Sequence, residues 1–312
     1  MTTIGIIGAG QLGQMMGYAA KELGVKCVFL DPQNNPPASS AGDVLKYDFD
    51  DLNGLHKLAE KADIVTYEFE NVSVSALKEL EKITTVFPPI KALSYAQDRL
   101  HEKNLFQKLS IPIPKFKIIN SESDLKDAAN LIGLPMILKT RRFGYDGKGQ
   151  YFIKTLKEIP EAFSTLKSQP LIVEEYVPFD YELSAIGARN INGDIIFYPL
   201  TENRHREGIL RESRAPAYTV KQDKKANDYL TRLLISLDYV GILALELFFL
   251  DGKILANEFA PRVHNSGHWT IEGSETSQFE NHLRAILNLS LGSTKQLGIA
   301  GMVNIIGKMP KK

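Results

Sequence analysis

Residues 3–31 leave the N-terminal part of this chain little freedom in how it can fold. Thr3 to Ile7 is apolar and β-branched, Gly8-Ala9-Gly10-Gln11-Leu12-Gly13 matches GxGxxG, and Gln14 to Leu23 has helical spacing with a stop at Gly24. Val25 to Leu30 is a second strand, ending at Asp31. Strand, tight turn, helix and strand in that order are the first half of a βαβ unit, which calls for a parallel sheet. Glycines at this spacing with an acid at the second strand's end suit a bound dinucleotide; they also suit close packing of helix on strand. Pro32 to Ser40 reads as a loop, Leu52 to Lys61 as a helix, and Asp63 to Tyr67 as a third strand running out into Glu68, Phe69, Glu70 and Asn71. Ligands bind at this edge of open parallel sheets, so Glu68 or Glu70 is placed to touch substrate or to cap the next helix. Ser73 to Lys82 and Tyr95 to Leu109 have helical patterns, and Pro88-Pro89 between them marks a domain boundary.

The charge balance narrows the partners. Lys plus Arg number 37 and Asp plus Glu 37 in 312 residues, so no global field draws the chain to nucleic acid or an anionic membrane. Anions must be bound by local clusters, and a small-molecule partner is expected. The single cysteine, Cys27, lies in an apolar run and suits core packing in a reducing compartment. The N-terminus enters a strand without a basic leader region. The longest apolar run, Gly241 to Leu250, contains Glu246 and is too short to span a bilayer. The expected location is the cytoplasm.

After Ile111-Pro112-Ile113-Pro114 the pattern changes to a smaller unit. It reads as a strand near Phe116 to Ile119, a helix near Ser123 to Leu131, a strand Pro135 to Thr140, a strand to Ile153, a helix near Ile159 to Leu166 and a strand Leu171 to Val177. This is a small α+β lid rather than the second half of a dinucleotide-binding sheet. Its strands flank Lys139 to Gln150, KTRRFGYDGKGQ, with glycines at 144, 147 and 149 among Lys139, Arg141, Arg142 and Lys148. Free backbone N–H groups and cations in one bent loop suit a phosphate; an ordinary hairpin turn with solvated charges has the same composition. Tyr181 to Ala188 and Ile195 to Pro199 follow as strands and Ala226 to Leu237 as a helix. Between them, Thr201 to Arg214 carries His205, Arg206, Arg211 and Arg214, and reads as a solvated loop or as the lining of a polyphosphate site.

The hairpin Ile242 to Phe259 carries two acids, Glu246 and Glu258, about the turn Asp251-Gly252. A two-residue loop would set Glu246 opposite Asn257 and send Glu258 to the other side of the sheet. A three-residue loop, Leu250-Asp251-Gly252, makes the acids diagonal neighbours on one face, and leaves Leu243, Leu245, Leu247, Phe249, Leu255 and Phe259 on the other, interrupted only by Asn257. The apolar pattern favours the three-residue loop. Paired carboxylates repel, and a shared proton, a cation or a hard divalent metal relieves them; a solvent-facing acidic pair is the plain alternative. After Glu258 comes FAPRVHNSGHW, where Pro261 and Gly267 break any helix that would align His264 and His268 on zinc.

With lid, phosphate loop and paired acids in that order, the chain resembles the ATP-grasp superfamily. KTRRFGYDGKGQ, EEYVPFDYE, FYPLTENRHREGIL and NEFAPRVHNSGHW, with GAGQLGQMM and TYEFENV nearer the start, closely resemble the N5-carboxyaminoimidazole ribonucleotide synthetase family. The fold so implied is α/β and α+β: a Rossmann-like domain at 1–95, an ATP-grasp domain at 96–290 with its lid at about 115–178, and 291–312 as the start of a truncated C-terminal segment. The resemblance implies that ATP is held by Arg99, Lys139, the loop Gly144, Tyr145, Asp146, Gly147, Lys148, Gly149 and Gln150, by Glu174, Glu175, Tyr176, Val177 and Glu182, and by His205, Asn257 and Glu258. Glu246 and Glu258 would hold Mg2+, or Mn2+ in its place.

Tyr145, Asp146, Lys148 and Arg262 would be catalytic, and Gln11, Leu12, Glu70, Tyr145, Arg262, His264, Asn265 and Ser266 would face the aminoimidazole ribonucleotide, with Glu68 nearby. The first glycine loop is thereby reassigned from NAD to the substrate side. The implied chemistry is an ATP-dependent carboxylation: bicarbonate attacks the γ-phosphate, and the carboxyl of the resulting carboxyphosphate passes, directly or as CO2, to the ribonucleotide amine. A homodimer with small-molecule substrates alone is implied. Family members continue into a C-terminal segment whose basic motif helps bind the substrate phosphate, and the sequence read here stops at Lys312. The alternatives are another ATP-grasp carboxylate-amine ligase, or a truncated Mg-ATP-binding protein without turnover.

Overall fold

The computed structural model describes residues 1–144, 149–217 and 221–307. β1 (Thr3–Ile7), β2 (Lys26–Leu30), β3 (Asp43–Leu45), β4 (Ile64–Tyr67) and β5 (Thr85–Val86) form a parallel sheet in the order β3-β2-β1-β4-β5. Around it lie α1 (Gln11–Glu22), α2 (Leu52–Lys61), α3 (Val74–Leu80) and α4 (Ile90–Ala96). Both faces of β1 are buried: Ile4 and Ile6 join one apolar cluster with Met16 and Phe29, Ile7 another with Leu30 and Leu55, as a sheet covered on both sides requires. Asp51 and Ser73 start α2 and α3 by accepting from Gly54 N and Ala76 N. Burial raises the Cys27 thiol to about 12, which leaves it a packing residue.

A short strand, β3, follows the 32–40 loop. One expectation needs correction here. The single helix expected over 95–109 is two, α4 and α5 (Arg99–Lys108), because Asp98 sits in extended geometry and caps α5 by accepting from Leu100 N at 3.0 Å. Helical periodicity runs across the break, since the two helices turn their apolar sides to a common core; the cap is the local signal.

The lid is a four-stranded antiparallel sheet in the order β6-β9-β7-β8, built from β6 (Phe116–Ile119), β7 (Met136–Thr140), β8 (Gln150–Ile153) and β9 (Leu171–Glu175). α6 (Glu122–Ile132) and α7 (Ile159–Leu166) cover it. Ser121 and Asp124 close a capping box on α6.

The third sheet has β10 (Tyr181–Arg189), β11 (Ile195–Phe197), β12 (Thr201–Arg206), β13 (Ile209–Ala215), β14 (Gly241–Leu250), β15 (Lys253–Ala260) and β16 (Ala300–Val303), in the order β15-β14-β10-β12-β13-β16 with β11 also on β10. The helices that follow β13 are α8 (Asp223–Ser236), the short α9 (Thr270–Gly273) and α10 (Gln278–Ile286). One face buries Leu243, Leu245 and Leu247 against Leu230 and Leu233 of α8. The other buries Ile186, Ile242 and Ala244 against Phe279 and Leu283 of α10, in one cluster with Met16 of α1. Residues 201–214, expected as a loop, are the β12–β13 hairpin turning at Glu207 and Gly208, both at positive φ. Its polar side chains satisfy each other: Asn203 donates to Ser184 Oγ at 2.8 Å and accepts from Ser213 Oγ at 2.8 Å.

The register of the β14–β15 hairpin differs from the three-residue loop. Leu250 pairs with Lys253 and Leu247 with Ala256, a two-residue turn with Asp251 at φ 49° and Gly252 at 74°. The register then shifts: Leu245 pairs with Phe259 and Ala244 with Ala260. A bulge therefore sets Asn257 and Glu258 together against Glu246. Ala256 and Phe259, three apart, enter the α8-side cluster, and Ala260 enters the other. The acids share a face as expected, with a bulge rather than a longer turn as the cause.

His282 ties α10 to the first sheet. Its Nδ1 accepts from Ile242 N at 3.2 Å, so the proton sits on Nε2 and is given to Thr66 Oγ1 at 2.9 Å. Burial lowers its pKa to about 4. The unfolded chain, with histidine near 6.5, takes up a proton that the fold refuses, so stability falls as pH drops from 6.5 towards 4. At pH 5 this amounts to about 2 kcal/mol relative to pH 7. His282→Gln, whose amide can make both bonds, is expected to remove that part of the pH dependence of urea unfolding; an unchanged dependence would contradict the buried neutral imidazole.

Candidate active site

The bulge face of the third sheet meets the lid in a group of fixed charges. Glu258 accepts from Arg99 Nη1 at 2.9 Å, and its side chain keeps 41% of its accessibility towards the cleft. Burial works to raise its carboxyl, but Arg99, Lys139 and Lys103 outweigh that and hold it below the ordinary range. From the lid, Glu174 of β9 accepts from Lys139 of β7 at 2.9 Å, and Lys103 of α5 lies 3.4 Å away. Burial opposes ionisation of Glu174, yet the two lysines and Arg99 bring its pKa down to about 2. Lys139 is lowered from its usual value by burial, against the pull of Glu174. Arg99 N also donates to Arg141 O at 3.0 Å, and Arg141 grips Asp98 with two bonds of 3.0 and 2.7 Å. The start of α5 is thereby locked to the end of β7.

Along the same face His205 Nδ1 meets Glu182 Oε2 at 2.6 Å. Burial would lower the His205 pKa; the bond to Glu182 outweighs it, so the ring is held above its ordinary value. Two buried oxygens in this group have no hydrogen-bond partner among the described residues, Glu174 Oε1 and Asn257 Oδ1. Buried acceptors left open are rare, and mark places a ligand completes.

The loop after β15 reaches the acids from the other side. His264 Nε2 lies 3.1 Å from Glu246 Oε1, and its Nδ1 lies 2.8 Å from Ser266 Oγ. Arg262 pairs with Glu70 at 2.5 Å, joining the loop to the carboxyl edge of the first sheet, and leaves its buried Nε open. Gln278 clasps the loop, donating to His264 O at 2.6 Å and accepting from His264 N at 3.1 Å. His268 stands apart from the acids: burial lowers its pKa to about 4 and its Nε2 is unpartnered. Among the described residues no group of three or more His, Cys, Asp or Glu is placed to hold a metal. Mg2+ needs only one or two carboxylates plus phosphate oxygens. Glu246, Glu258 and the open Asn257 Oδ1 are such a hard-oxygen set.

The GxGxxG loop is already occupied by the chain itself. Glu68 accepts from Gly10 N and Gly13 N at the start of α1, where a dinucleotide's pyrophosphate would sit. Burial raises its carboxyl against those two N–H groups. A Cβ on Gly8 or Gly10 would come within 2.5 or 2.8 Å of Glu68, so these glycines make room for a carboxylate. Asp31 accepts from Ala9 N at 3.0 Å and Gln33 N at 2.9 Å. The dinucleotide reading fails on both points.

The structure thus brings together Arg99, Lys139, Glu174, Glu182, His205, Glu246, Asn257, Glu258, Arg262, His264, Ser266 and Glu70. Glu175 accepts from Lys115 N at 3.1 Å, Tyr176 packs at a tilt against Phe152 with ring centres 5.0 Å apart, and Val177 is buried. Gly149 O accepts from Thr140 N at 2.8 Å, and Gly144 and Gln150 flank it in sequence. Gln11 is exposed at the first turn of α1, Leu12 packs on the core, and Asn265 is exposed. Tyr145, Asp146, Gly147 and Lys148 lie outside the described residues. Glu102 was not singled out by sequence and Lys103 was given no role, because buried charges on an amphipathic helix look like its solvated face.

Comparison with known proteins follows the same lines. Residues 104–279 match the model of the ATP-grasp domain, and residues 1–97 that of the ribonucleotide synthetase preATP-grasp domain. The N5-carboxyaminoimidazole ribonucleotide synthase of Pseudomonas aeruginosa is 48% identical over 307 residues, covering 98% of this chain and 85% of the relative. The chain belongs to the N5-carboxyaminoimidazole ribonucleotide synthase family of ATP-grasp enzymes. The family's crystal structure from Thermus thermophilus superposes with a TM-score of 0.95 at 49% identity, over 99% of this chain and 84% of that one. The Aspergillus clavatus synthase, in complex with ADP and 5-aminoimidazole ribonucleotide, gives 0.91 at 30% identity over 98% and 83%. Family membership makes the chain an ATP-dependent ligase.

Proposed function

We propose that the chain carboxylates 5-aminoimidazole ribonucleotide with bicarbonate at the expense of ATP, giving N5-carboxyaminoimidazole ribonucleotide, ADP and phosphate in purine biosynthesis. The observation that carries this is the pair of contacts, His264 to Glu246 at 3.1 Å and Arg262 to Glu70 at 2.5 Å. They join the acid-bearing nucleotide face to a second polar surface within one cleft.

Arg99 and Lys139 are assigned to the ATP phosphates, with Glu182 and His205 on the nucleoside side. A bicarbonate oxygen attacks the γ-phosphorus, the bond to the β,γ-bridging oxygen breaks, and ADP leaves with carboxyphosphate formed. The substrate amine then takes the carboxyl carbon, phosphate departs, and the amine gives up a proton. Fixed cations beside the transferring phosphoryl group stabilise its charge without reorganisation. Glu246, Glu258 and Asn257 Oδ1 would hold Mg2+, which when bound neutralises phosphate charge. Arg262, with its Nε free, and His264, oriented by Ser266, are assigned to the ribonucleotide and bicarbonate, together with Glu70, Gln11, Leu12 and Asn265. Tyr145, Asp146 and Lys148 keep the catalytic assignment that the resemblance implies, and the rest of Gly144 to Gln150 keeps its assignment to ATP.

The domain limits 1–95, 96–290 and 291–312, the cytoplasmic location and the homodimer belong to the same proposal; sedimentation tests the last. ADP release is expected to require both 5-aminoimidazole ribonucleotide and bicarbonate. Release with another amine and none with this ribonucleotide would assign the chain to a different carboxylate-amine ligase.

A further inference from the structure

Two consecutive residues of α5, Glu102 and Lys103, are buried beside the acids and have no part in the chemistry above. Only 2% of Glu102 and none of Lys103 is exposed. Glu102 Oε1 accepts from Phe259 N at 2.7 Å, and Lys103 Nζ donates to Asn257 O at 2.7 Å. These two backbone groups flank Glu258, in the bulge where the ladder between β14 and β15 is interrupted. A bulge leaves backbone groups without ladder partners, and buried ones need partners from elsewhere.

We propose that Glu102 and Lys103 are positioning residues, a clamp that holds the β15 bulge and thereby aims Glu258 and the Asn257 side chain at the metal-nucleotide site. The inference rests on the metal reading given under the proposed function. In a regular ladder continuing the turn's register, residues 254, 256 and 258 would share the face packed on α8, and Glu258 would point into leucines. The bulge avoids that, and its orphan N–H and C=O would each cost about 1–3 kcal/mol if buried unpaired. An accepting carboxyl oxygen for the N–H and a donor ammonium for the C=O match the two polarities. Lys103 is itself 3.4 Å from Glu174, which also holds Lys139. One residue therefore ties the acid-bearing strand to the lid strand that carries the nucleotide cations.

The test uses ADP and Mn2+ as probes in calorimetry, so it does not depend on turnover. In the unmodified chain Mn2+ is expected to tighten ADP binding. In Lys103→Met and Glu102→Leu that tightening should fall by about ten- to a hundredfold, the range for residues that orient metal ligands, with binding of ADP alone largely kept. Glu102→Gln retains an acceptor for Phe259 N and should restore the tightening, which a role confined to charge would not allow. Folded Lys103→Met and Glu102→Leu chains with full tightening would overturn the clamp. Should both fail to fold, hydrogen exchange in the unmodified chain decides. The Phe259 amide should be strongly protected, and exchange as fast as at the Asp251-Gly252 turn would refute the bond. No tightening by Mn2+ in the unmodified chain, with Phe259 protected, would remove the metal reading, and the aiming role would fall with it.

Discussion

Glu258→Gln is expected to lower the rate of ADP formation by about a hundred- to a thousandfold, the order seen when an electrostatic contact to a transition state is lost. The amide keeps the size of the side chain and an oxygen for Arg99. It removes the charge that Arg99, Lys139 and Lys103 stabilise as carboxylate. Stability should change little, because the side chain is 41% accessible and half-exposed ion pairs contribute about 0–1 kcal/mol. Steady-state ADP formation across a Mg2+ series, with urea unfolding alongside, separates the two effects. A folded variant with near-normal turnover would remove the paired-carboxylate site. Glu246→Gln is a milder change, since His264 holds that acid at 3.1 Å on a side away from the cation cluster.

The hairpin that carries these acids shows where sequence reasoning stopped. Period-2 alternation and the position of Asp251-Gly252 located both strands and the turn. A single register was then asked to set apolar residues 255 and 259 on one face and acids 246 and 258 on the other, which a three-residue loop does; in the structure Ala256, and not Leu255, lies with Phe259 in the α8-side cluster. The true signal was the three-residue spacing of Ala256 and Phe259, which is that of a bulge. The same limit appears at Asp98, where an N-cap ends one helix and begins another within a continuous apolar period.

Polar contacts between distant segments were illegible for another reason. Glu68 lies 55 residues from Gly13, and a GxGxxG motif reads alike whether it receives a nucleotide or the chain's own carboxylate. The dense arginines of 201–214 suggested a solvated loop because side chains such as Asn203 and Ser213, which satisfy each other, look like solvated ones in sequence. What the sequence did convey was chemistry at short range: the acids, the glycine-rich segment and the donor-rich loop after Glu258.

Glu174 gives the largest expected effect on stability. Its carboxylate is buried with Lys103, which has no exposed side-chain area, and Lys139, at 11%. Removing one partner of a buried ion cluster leaves the others uncompensated, at about 3–5 kcal/mol, so Glu174→Gln should destabilise by that order in urea unfolding. Lys103→Met added to it should recover only part, because the surplus charge goes with the lysine while the Asn257 carbonyl loses its donor. The pH dependence runs the same way. With a folded pKa of about 2 against 4.5, the carboxylate's contribution is complete above pH 4.5 and is lost as pH falls through 2, a span worth about 3 kcal/mol. Glu174→Gln should therefore be less sensitive than the unmodified chain to acid below pH 4.5, while His282 and His268 still protonate in both. A variant with normal stability at pH 7 would mean that the two lysines discharge by another route, and equal acid sensitivity would show that Glu174 is not held ionised in the fold.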